Sequence, residues 1–531
     1  MMKALPTILS FLAVLGTMNS YSQDGSLDPD FGGGDGMVST SFYANQRSQA
    51  FGVAVQNDNK IVVSGYTRAP DGKEYAILMR YQADGQLDNG FNGNGKVIIP
   101  PPYGLASSRK VIVQPDQKII MVLASPDTVD VKLGLYRFLE NGVPDNTFDA
   151  DGEVHTSWGV EYISATALTL QPDGKILVGG YIGLGNDLID QFYVARYLTN
   201  GIPDPSFDGD GIVITTVGEN YTHLNEILVQ SDGKIIAVGQ GYFNGSDDYA
   251  VVRYNEDGSL DPSFSDDGIA SVSLSTGEDR AMGGALQPDS KIVLGGYSRN
   301  VATGRDQFSA VRLNHDGTLD DSFHGTGKVI IPVTDDSDGG YTLLRQPDGK
   351  IVLGGYVHSA STSTWAALAI VRLDNNGVLD TSFDGDGVGI YPSNNTSSGI
   401  IHAMALQPDG KLIAAGIILV DDINTVGVIR INTGLTTSVA DPDIAATEVE
   451  LFPNPITAQA HLQYELQKDE NITITLNDLQ GRLVQRLLPG TPRTSGSHSE
   501  KLVIHQSLPP GIYLVSLQSE RWIKSMKVVV E

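Results

Sequence analysis

The sequence predicts an all-β protein in which a seven-bladed β-propeller of four-stranded blades, closed by the N-terminal strand, precedes a small Ig-like β-sandwich. A phrase such as QPDGKILVGGY (171–181) returns seven times at intervals of 57 to 61 residues, and each interval holds four strand-like runs. Glycine is abundant (60 residues) and only 18% of residues are charged, which suits a turn-rich β protein. A fixed period of this size, filled by four short strands, indicates propeller blades.

Three sequence motifs recur with this period. The first begins with glutamine, at Gln56, Gln114, Gln171, Gln230, Gln287, Gln346 and Gln407. The second is LDxxF or a close variant, with its aspartate at Asp28, Asp88, Asp145, Asp204, Asp261, Asp320 and Asp380. The third is one arginine within an apolar run, at Arg80, Arg137, Arg196, Arg253, Arg312, Arg372 and Arg430. Because both charges recur in every unit, we expect a structural role in which each arginine pairs with an aspartate of a neighbouring turn.

The strands of one unit can be read directly from the third repeat. Its four runs are TALTLQ (166–171), KILVGGY (175–181), QFYVARYL (191–198) and GIVITTV (211–217). The last unit has three such runs and ends at TVGVIRIN (425–432), whereas GMVSTSF (36–42) is a spare strand at the N-terminus. Pairing the spare strand with the last unit closes the ring and removes two exposed sheet edges.

The chain ends carry targeting and linker patterns. Residues 1–22 have the features of a signal peptide, with Lys3 before an apolar stretch and small residues before Gln23. The propeller then occupies 23–434 and a polar linker 435–447. No other apolar run is long enough for a transmembrane segment. The chain contains no cysteine, so we expect neither disulfides nor a thiolate zinc site.

The net charge of −28 argues against a nucleic-acid partner, because phosphates would be repelled. We expect a monomer with a soluble, acidic surface.

The repeat pattern of the propeller is absent from residues 448–531. About seven alternating runs, such as AHLQYELQ (459–466) and NITITLND (471–478), predict a small β-sandwich.

Two parts of the chain resemble known families. The period near 60, LDxxF, QPDGK and the arginine-bearing strand look like the delta-60 β-propeller repeats of secreted bacterial proteins, over about residues 24–434. This resemblance implies the propeller fold and no particular reaction.

The tail resembles the type A sorting domain of the bacterial type IX secretion system, through LFPNP (451–455), NDLQGRLV (477–484), LPPGIYLVSL (508–517) and a basic end. The candidate sorting-signal residues are Pro453, Asn454, Pro455, Gly481, Gly511 and Tyr513. The resemblance implies a Bacteroidetes-type bacterium, passage through the outer membrane, and removal of the tail by a sorting peptidase as the protein is released or anchored to surface lipopolysaccharide.

Catalytic motifs are not evident in the sequence. The nine histidines are scattered, and neither a G-x-S-x-G nor a phosphate-binding loop is present. A carboxylate pair of the glycosidase type stays open, because spatial pairing is invisible in sequence. We expect no cofactor other than calcium, for which DPSFDGDG (204–211) and DTSFDGDG (380–387) resemble the start of an EF-hand loop. The candidate ligands are Asp204, Asp208, Asp210, Asp380, Asp384 and Asp386, although aspartates beside glycine also form ordinary tight turns.

The two faces of the predicted ring differ in sequence. The QPDGK and LDxxF turns fall together on one face and are nearly uniform, whereas the loops of the other face vary in every unit. Recognition usually lies in varied loops on a rigid scaffold. Their aromatic residues are the candidate ligand-binding set: Tyr43, Tyr103, Trp158, Tyr162, Tyr221, Tyr341, Tyr391 and Trp365. The alternative for several of them is that they cap the blade interfaces.

The sequence therefore favours a secreted or surface-attached binding or adhesion module for a glycan, a protein or a polymer. The alternative from another class is an extracellular hydrolase or lyase with its active site on the propeller axis. A purely structural envelope component differs from the first only in having no dissociable ligand. An enzyme needs convergent carboxylates or a metal on the axis, whereas a binding module can use aromatic and amide groups.

Overall fold

The structure is a computed structural model. It describes residues 24–100, 107–125, 132–160, 162–183, 190–358, 367–391, 399–435, 449–456, 459–466, 469–477, 483–504, 508, 511–519 and 523–530. Within these ranges every regular element is a β-strand, so the all-β prediction is confirmed. The predicted signal peptide and residues 436–447 of the predicted linker lie outside the described residues.

The chain divides into two compact units. The first comprises Met1–Ala54, Val62–Met404 and Ala414–Gly434. The second comprises Val55–Ile61, Ala405–Ile413 and Leu435–Glu531.

The first strands of the chain build three four-stranded sheets, preceded by the short β1 (Met37–Thr40). Sheet I contains β2 (Ser48–Val55), β3 (Ile61–Arg68), β4 (Glu74–Tyr81) and β5 (Lys96–Ile99). Sheet II contains β6 (Ser107–Val113), β7 (Ile119–Ser125), β8 (Lys132–Phe138) and β9 (Glu153–Thr156). Sheet III contains β10 (Tyr162–Leu170), β11 (Ile176–Gly183), β12 (Asp190–Tyr197) and β13 (Ile212–Thr215). In each sheet the strands are neighbours in chain order.

Four further sheets repeat this arrangement. Sheet IV contains β14 (His223–Val229), β15 (Ile235–Phe243), β16 (Ser246–Tyr254) and β17 (Ile269–Val272). Sheet V contains β18 (Asp279–Leu286), β19 (Ile292–Asn300), β20 (Arg305–Leu313) and β21 (Lys328–Ile331). Sheet VI contains β22 (Asp338–Arg345), β23 (Ile351–Val357), β24 (Ala367–Leu373) and β25 (Val388–Tyr391). Sheet VII contains β26 (Gly399–Leu406), β27 (Leu412–Val420), β28 (Ile423–Ile431) and, from the other end of the chain, β1.

β1 completes sheet VII by pairing antiparallel with β28. Its register joins Met37 to Ile429 and Thr40 to Val426. The backbone N–H of Gly25 also donates to Asn432 O at 2.8 Å. The spare N-terminal strand of the sequence therefore supplies the fourth strand that the last repeat lacks.

Short turns of one type join the first and second strands of the sheets. In QPDGK (171–175) the N–H of Gly174 donates to Gln171 O at 2.9 Å, and Asp173 Oδ1 accepts the Lys175 N–H at 3.1 Å. Gly174 has a φ of +85°, a left-handed conformation that glycine adopts without steric cost. The repeated letters D and G are thus dictated by turn geometry.

The hydrophobic core of the first unit lies between neighbouring sheets. One cluster joins Ile120 and Leu135 of sheet II to Ile163 and Tyr193 of sheet III. Equivalent clusters join sheets I and II, III and IV, IV and V, and V and VI. Since the central strands are buried on both faces, they consist almost entirely of apolar residues and glycine, as β11 does.

The C-terminal part of the second unit holds seven described strands in two sheets. The three-stranded sheet, of order β29-β30-β33, uses β29 (Val449–Phe452), β30 (Gln459–Leu466) and β33 (Gly496–Val503). The four-stranded sheet, of order β32-β31-β34-β35, uses β31 (Glu470–Asn477), β32 (Leu483–Arg493), β34 (Gly511–Gln518) and β35 (Ile523–Val530). Burial alternates strictly along β30, and one hydrophobic cluster takes residues from both sheets, including Leu462, Leu502, Ile474 and Val515.

Candidate functional site

The repeat arginines join each sheet to the next one, as Arg253 illustrates. Its side chain is fully buried, and its Nε lies 2.6 Å from Asp261 Oδ2, which Lys234 Nζ also approaches at 2.6 Å. The guanidinium lies over the Phe264 ring, 4.6 Å from the centroid, and Nη1 donates to the carbonyl of His315 in sheet V's final turn. One arginine thus neutralises an aspartate of its own repeat and binds the backbone of the following repeat.

The other six repeats have the same ion pair. The N–O distances are 2.7 Å for Arg80–Asp88, 2.8 Å for Arg137–Asp145, 2.8 Å for Arg196–Asp204, 2.6 Å for Arg312–Asp320, 2.8 Å for Arg372–Asp380 and 2.6 Å for Arg430–Asp28. The backbone acceptors of the next repeat include Thr199 O for Arg137 and Thr433 O for Arg372. Arg430 donates to Ala83 O, which links sheet VII to sheet I. The three repeated phrases of the sequence therefore form one recurring contact between sheets.

These contacts lower the pKa of five of the repeat aspartates. Burial raises the pKa of Asp145, but hydrogen bonds from Thr147 and the charges of Arg137 and Lys118 lower it more, to about 2. Asp204 and Asp380 also have pKa values of about 2 for the same reasons, and the pKa values of Asp261 and Asp320 are lowered as well.

Acid should destabilise the protein through these carboxylates. A pKa that is lower in the folded than in the unfolded chain contributes stability above the unfolded value, 3.8, and that contribution disappears as pH falls to about 2. We therefore expect the urea midpoint of residues 23–531, followed by fluorescence, to fall steeply between about pH 4 and pH 2. Asp204→Asn should weaken this pH dependence. A midpoint that stays constant down to pH 2 would contradict the pairing as described.

The candidate calcium ligands have other partners in the structure. Asp204 Oδ2 forms ion pairs with Arg196 at 2.8 Å and with Lys175 at 3.3 Å. Asp380 is held in the same way by Arg372 and Lys350.

The remaining calcium candidates serve the turns. Asp210 and Asp386 accept backbone N–H groups two residues ahead, at 3.1 and 2.9 Å, and Asp208 and Asp384 both have a φ of +50°. Within the described ranges no three His, Asp or Glu side chains are grouped as metal ligands. The spacing of these aspartates reflects turn geometry and ion pairing.

Two of the predicted ligand-binding aromatics belong to the packing of the sheets. Tyr391 is only 5% exposed, and its hydroxyl donates to Gly25 O at 2.7 Å. Trp158 packs on the cluster between sheets II and III, with its ring 6.2 Å from that of Tyr197. Both lie against sheet interfaces, where a large ring buries much apolar area, and this is the alternative given for several of these aromatics.

Three other predicted aromatics are accessible or partly so. Tyr221 is 55% exposed, Tyr162 is 40% exposed, and Tyr43 is partly buried in the loop before β2. Tyr103, Trp365 and the sorting-signal residue Gly481 lie outside the described residues. The last of the set, Tyr341, occupies a cavity where all seven sheets meet.

This cavity, of about 120 Å³, is lined by the first strands of all seven sheets. Its lining residues are Phe51, Arg109, Lys110, Thr166, Asn225, Met282, Tyr341 and His402. We call it the axial cavity. With the exception of Lys110, each lining residue stands five positions before the glutamine of its repeat, so one side chain per repeat faces the centre.

A β-bulge orients these side chains toward the cavity. In sheets II to VI the pairing of the first two strands shifts register at this one position, for example between Ala165 and Ala167 around Thr166. The extra residue is unpaired in the ladder, and bulges commonly redirect a side chain next to functional sites. The seven bulge-position residues are of seven different types.

Aromatic and cationic groups meet on one side of the axial cavity. Arg109 lies 5.0 Å from the centroid of the Phe51 ring, and Phe51 is 4.9 Å from the His402 ring. Tyr341 meets His402 edge to face, at 5.5 Å between centroids. The Nε2 atom of His402 is buried and has no hydrogen-bond partner within the described residues. Burial and the charge of Arg109 lower the pKa of His402 to about 3, so the imidazole is neutral at physiological pH.

An ion pair spans the cavity. Lys110 Nζ of sheet II lies 2.8 Å from Glu226 Oε2 of sheet IV. Asn225 is fixed by bonds from its Nδ2 to Ala281 O at 2.8 Å and to Gln240 Oε1 at 3.0 Å. These contacts hold the lining side chains in place before any ligand arrives.

A second layer of tyrosines surrounds the lining, from the GGY ends of the second strands. Tyr66 stacks on Phe51 with centroids 6.0 Å apart, and Tyr356 and Tyr297 lie 5.8 and 6.1 Å from Tyr341. Sequence reasoning identified only Tyr341 of the cavity lining. The sequence does hold a signal for the rest: one fixed position of each repeat, five residues before the glutamine, has a different residue type in every copy.

Fold and site together define a repeat-built, propeller-type protein with an appended β domain. The family model described as "Domain of unknown function (DUF5122) beta-propeller" matches residues 56–91, 171–207, 230–264, 287–323, 346–383 and 407–436. The model described as "Secretion system C-terminal sorting domain" matches residues 450–531. The chain thus carries repeats that match a β-propeller family model of the delta-60 type and a tail that matches a type IX C-terminal sorting domain, and this domain indicates export followed by secretion or cell-surface attachment.

Comparison with other proteins finds distant similarities only. Among curated proteins no relative matches. The polysaccharide lyase Uly1 is similar in structure, with 12% identity, a TM-score of 0.41, and coverage of 74% of this chain and 91% of the lyase. PorZ, a surface component of the type IX secretion system of Porphyromonas gingivalis, has 12% identity and a TM-score of 0.26, with coverage of 89% and 68%. The α-L-arabinofuranosidase Arb93A of Fusarium graminearum has 9% identity and a TM-score of 0.36, with coverage of 78% and 99%. These scores carry no argument about activity. In the part of the chain that is described, no helix could span a membrane.

Proposed function

We propose that this protein is an exported binding or adhesion module whose propeller holds an extracellular ligand, a glycan, a protein or a polymer, over the axial cavity. The observation that carries the proposal is the contrast between two kinds of repeat position. The arginine, aspartate and glutamine positions that serve the framework keep one residue type, whereas the position facing the cavity has seven types in seven repeats. Variable side chains presented by a rigid scaffold are typical of recognition.

The proposal includes the finer architecture. Sheets I to VII are the blades of one closed seven-bladed ring over residues 23–434, and the seven inner strands around a single cavity support this arrangement. Residues 1–22 are a cleaved signal peptide, 435–447 a linker, and 448–531 an Ig-like sorting domain. We propose that a sorting peptidase removes this domain, that the mature protein is either released or anchored to lipopolysaccharide, and that it is a monomer.

A lyase or hydrolase is the second candidate. The Tyr341 and His402 rings, 5.5 Å apart in the cavity, could transfer protons, which favours a lyase. Glu226, the partner of the lining residue Lys110, is the one carboxylate that the described contacts place at the cavity, and a single ion-paired carboxylate supports binding rather than hydrolysis by paired carboxylates.

Replacing Tyr341 by alanine should weaken ligand binding without unfolding the protein. A glycan array probed with residues 23–531 would identify ligands, and we expect Tyr341→Ala to lose about tenfold or more in affinity, as is usual for a central aromatic contact. Tyr341→Phe should retain most of the affinity because the ring remains.

Phe452→Ala is the matched control, since Phe452 is 43% exposed, lies in β29 of the C-terminal domain and does not line the cavity. Equal losses in the two alanine variants, at equal melting temperature, would contradict the axial site. Cleavage of bound glycans, detected by mass spectrometry, would establish the enzymatic alternative.

A further inference from the structure

We propose that the axial cavity selects a carboxylate-bearing ligand group, namely an acidic sugar residue, through Arg109. This inference rests on the proposed function and names the ligand class of the same site. Three features of the cavity support this ligand class: the charges that face it, the hydrogen-bonding groups left without partners, and its size.

Arg109 supplies the one net positive charge of the described cavity lining. The charge of Lys110 is balanced by Glu226 at 2.8 Å, and His402 is neutral. Within the described residues the Arg109 guanidinium contacts the Phe51 ring and makes neither a hydrogen bond nor an ion pair. Because Arg presents a planar fork of N–H donors, its natural partner is a carboxylate or another oxyanion.

The excess of carboxylates in the chain bears on why Arg109 has no acidic partner. The protein carries 63 acidic against 35 basic residues, so carboxylates are in excess. On the same face, Arg47 is paired with Glu74, and Arg280 is paired with Asp247 and Glu278, whereas the exposed Arg68 has no ion pair within the described residues but lies outside the cavity lining. Leaving Arg109 free of such partners keeps its donors available for a ligand from outside.

Polar and apolar groups complement the cation. The buried Nε2 of His402 lacks a partner, and the hydroxyl of Tyr341 makes no hydrogen bond within the described residues. Both can bind hydroxyl groups of a ligand, whereas the faces of Phe51 and Tyr341 and the thioether of Met282 offer apolar contact. A carboxylate, hydroxyls and an apolar ring face occur together on an acidic sugar.

The size of the cavity limits what enters. Its volume, about 120 Å³, is well below the roughly 300–1,000 Å³ of pockets that enclose a whole drug-sized ligand. One terminal or pendent residue of a larger glycan therefore enters the cavity, and the rest of the glycan lies over the varied loops.

The test uses calorimetric titration of residues 23–531 with D-glucuronate, D-glucose and glucose 6-sulfate at millimolar concentrations. We expect glucuronate to bind at least tenfold more tightly than glucose, and Arg109→Gln to remove this preference. Arg68→Gln is the matched control: it removes the same charge at an exposed site at the end of β3, outside the cavity lining, and should leave the preference intact.

Each other outcome overturns the inference. Equal binding of glucuronate and glucose, no binding of glucuronate, or equal effects of Arg109→Gln and Arg68→Gln would show that Arg109 does not select a carboxylate. Tighter binding of glucose 6-sulfate would assign the site to sulfate esters instead. If neutral glycans bind and are lost in Tyr341→Ala while Arg109→Gln has no effect, the binding function stands and only the acidic ligand class fails.

Discussion

Deleting residues 24–43 should abolish cooperative folding of the propeller. The deletion removes β1 and leaves β28 as an exposed sheet edge, which invites aggregation. It also removes Asp28, the partner of the buried Arg430, and breaking a buried ion pair costs about 3–5 kcal/mol. The fully buried Phe31 is lost as well, at a further cost of about 3–5 kcal/mol. Together these losses are comparable to the whole stability of a typical domain, about 5–15 kcal/mol.

Residues 24–43 also form hydrogen bonds with sheet VI. Asp24 Oδ1 accepts a hydrogen bond from Arg372 Nη1 at 3.0 Å, and Gly25 O accepts one from the Tyr391 hydroxyl at 2.7 Å. Circular dichroism and size-exclusion chromatography of residues 44–531 should show an unfolded or aggregated propeller. A synthetic peptide of residues 24–43 should restore part of the fold in trans. A deletion variant that melts cooperatively at the wild-type temperature would show that the ring does not depend on β1.

Arg253→Ala should lower the free energy of unfolding by about 3–5 kcal/mol, because it leaves Asp261 buried with half of its charge compensation removed. The variant also loses the contact with Phe264 and the bond to His315 O across the sheet interface. Arg253→Lys retains the charge but not the forked geometry, so we expect an intermediate loss.

The control for this variant is Arg299→Ala. Arg299 and Glu278 form an exposed pair at 3.7 Å, and such pairs contribute about 0–1 kcal/mol. Urea denaturation of the full mature chain measures both variants. Equal effects of the two substitutions would mean that the repeat arginine is solvated in solution.

The fold was largely predictable because its signals are repeated and local. The period, the turn residues and the alternation of each strand all indicate four-stranded units, and the spare strand 36–42 indicated its own partner at the other end of the chain. The pairing of arginine with aspartate followed from their joint recurrence, since a charge kept in every repeat needs a partner in every repeat.

The cavity lining was harder to predict. A bulge is a shift in ladder register, and no residue type marks it here, so the inward direction of Asn225 or Met282 could not be read from alternation. The places of Trp158 and Tyr391 could not be decided from sequence because an aromatic near a loop can either face solvent or close a sheet interface, and burial of the ring favours the interface. The aspartates of 204–210 were ambiguous in the sequence because calcium loops and tight turns use the same residue types.

Hydrogen–deuterium exchange tests the central claim most directly, because it reports where the ligand sits on residues 23–531. When a glycan identified on the array is added, we expect slower exchange than in the free protein in loops of the varied face, such as 43–47 and 218–222, and in peptides covering Arg109 and Tyr341. The uniform turns, such as 171–175 and 346–350, should be unchanged. Protection confined to turns 204–211 and 380–387 would place the ligand on the opposite face and contradict the axial site.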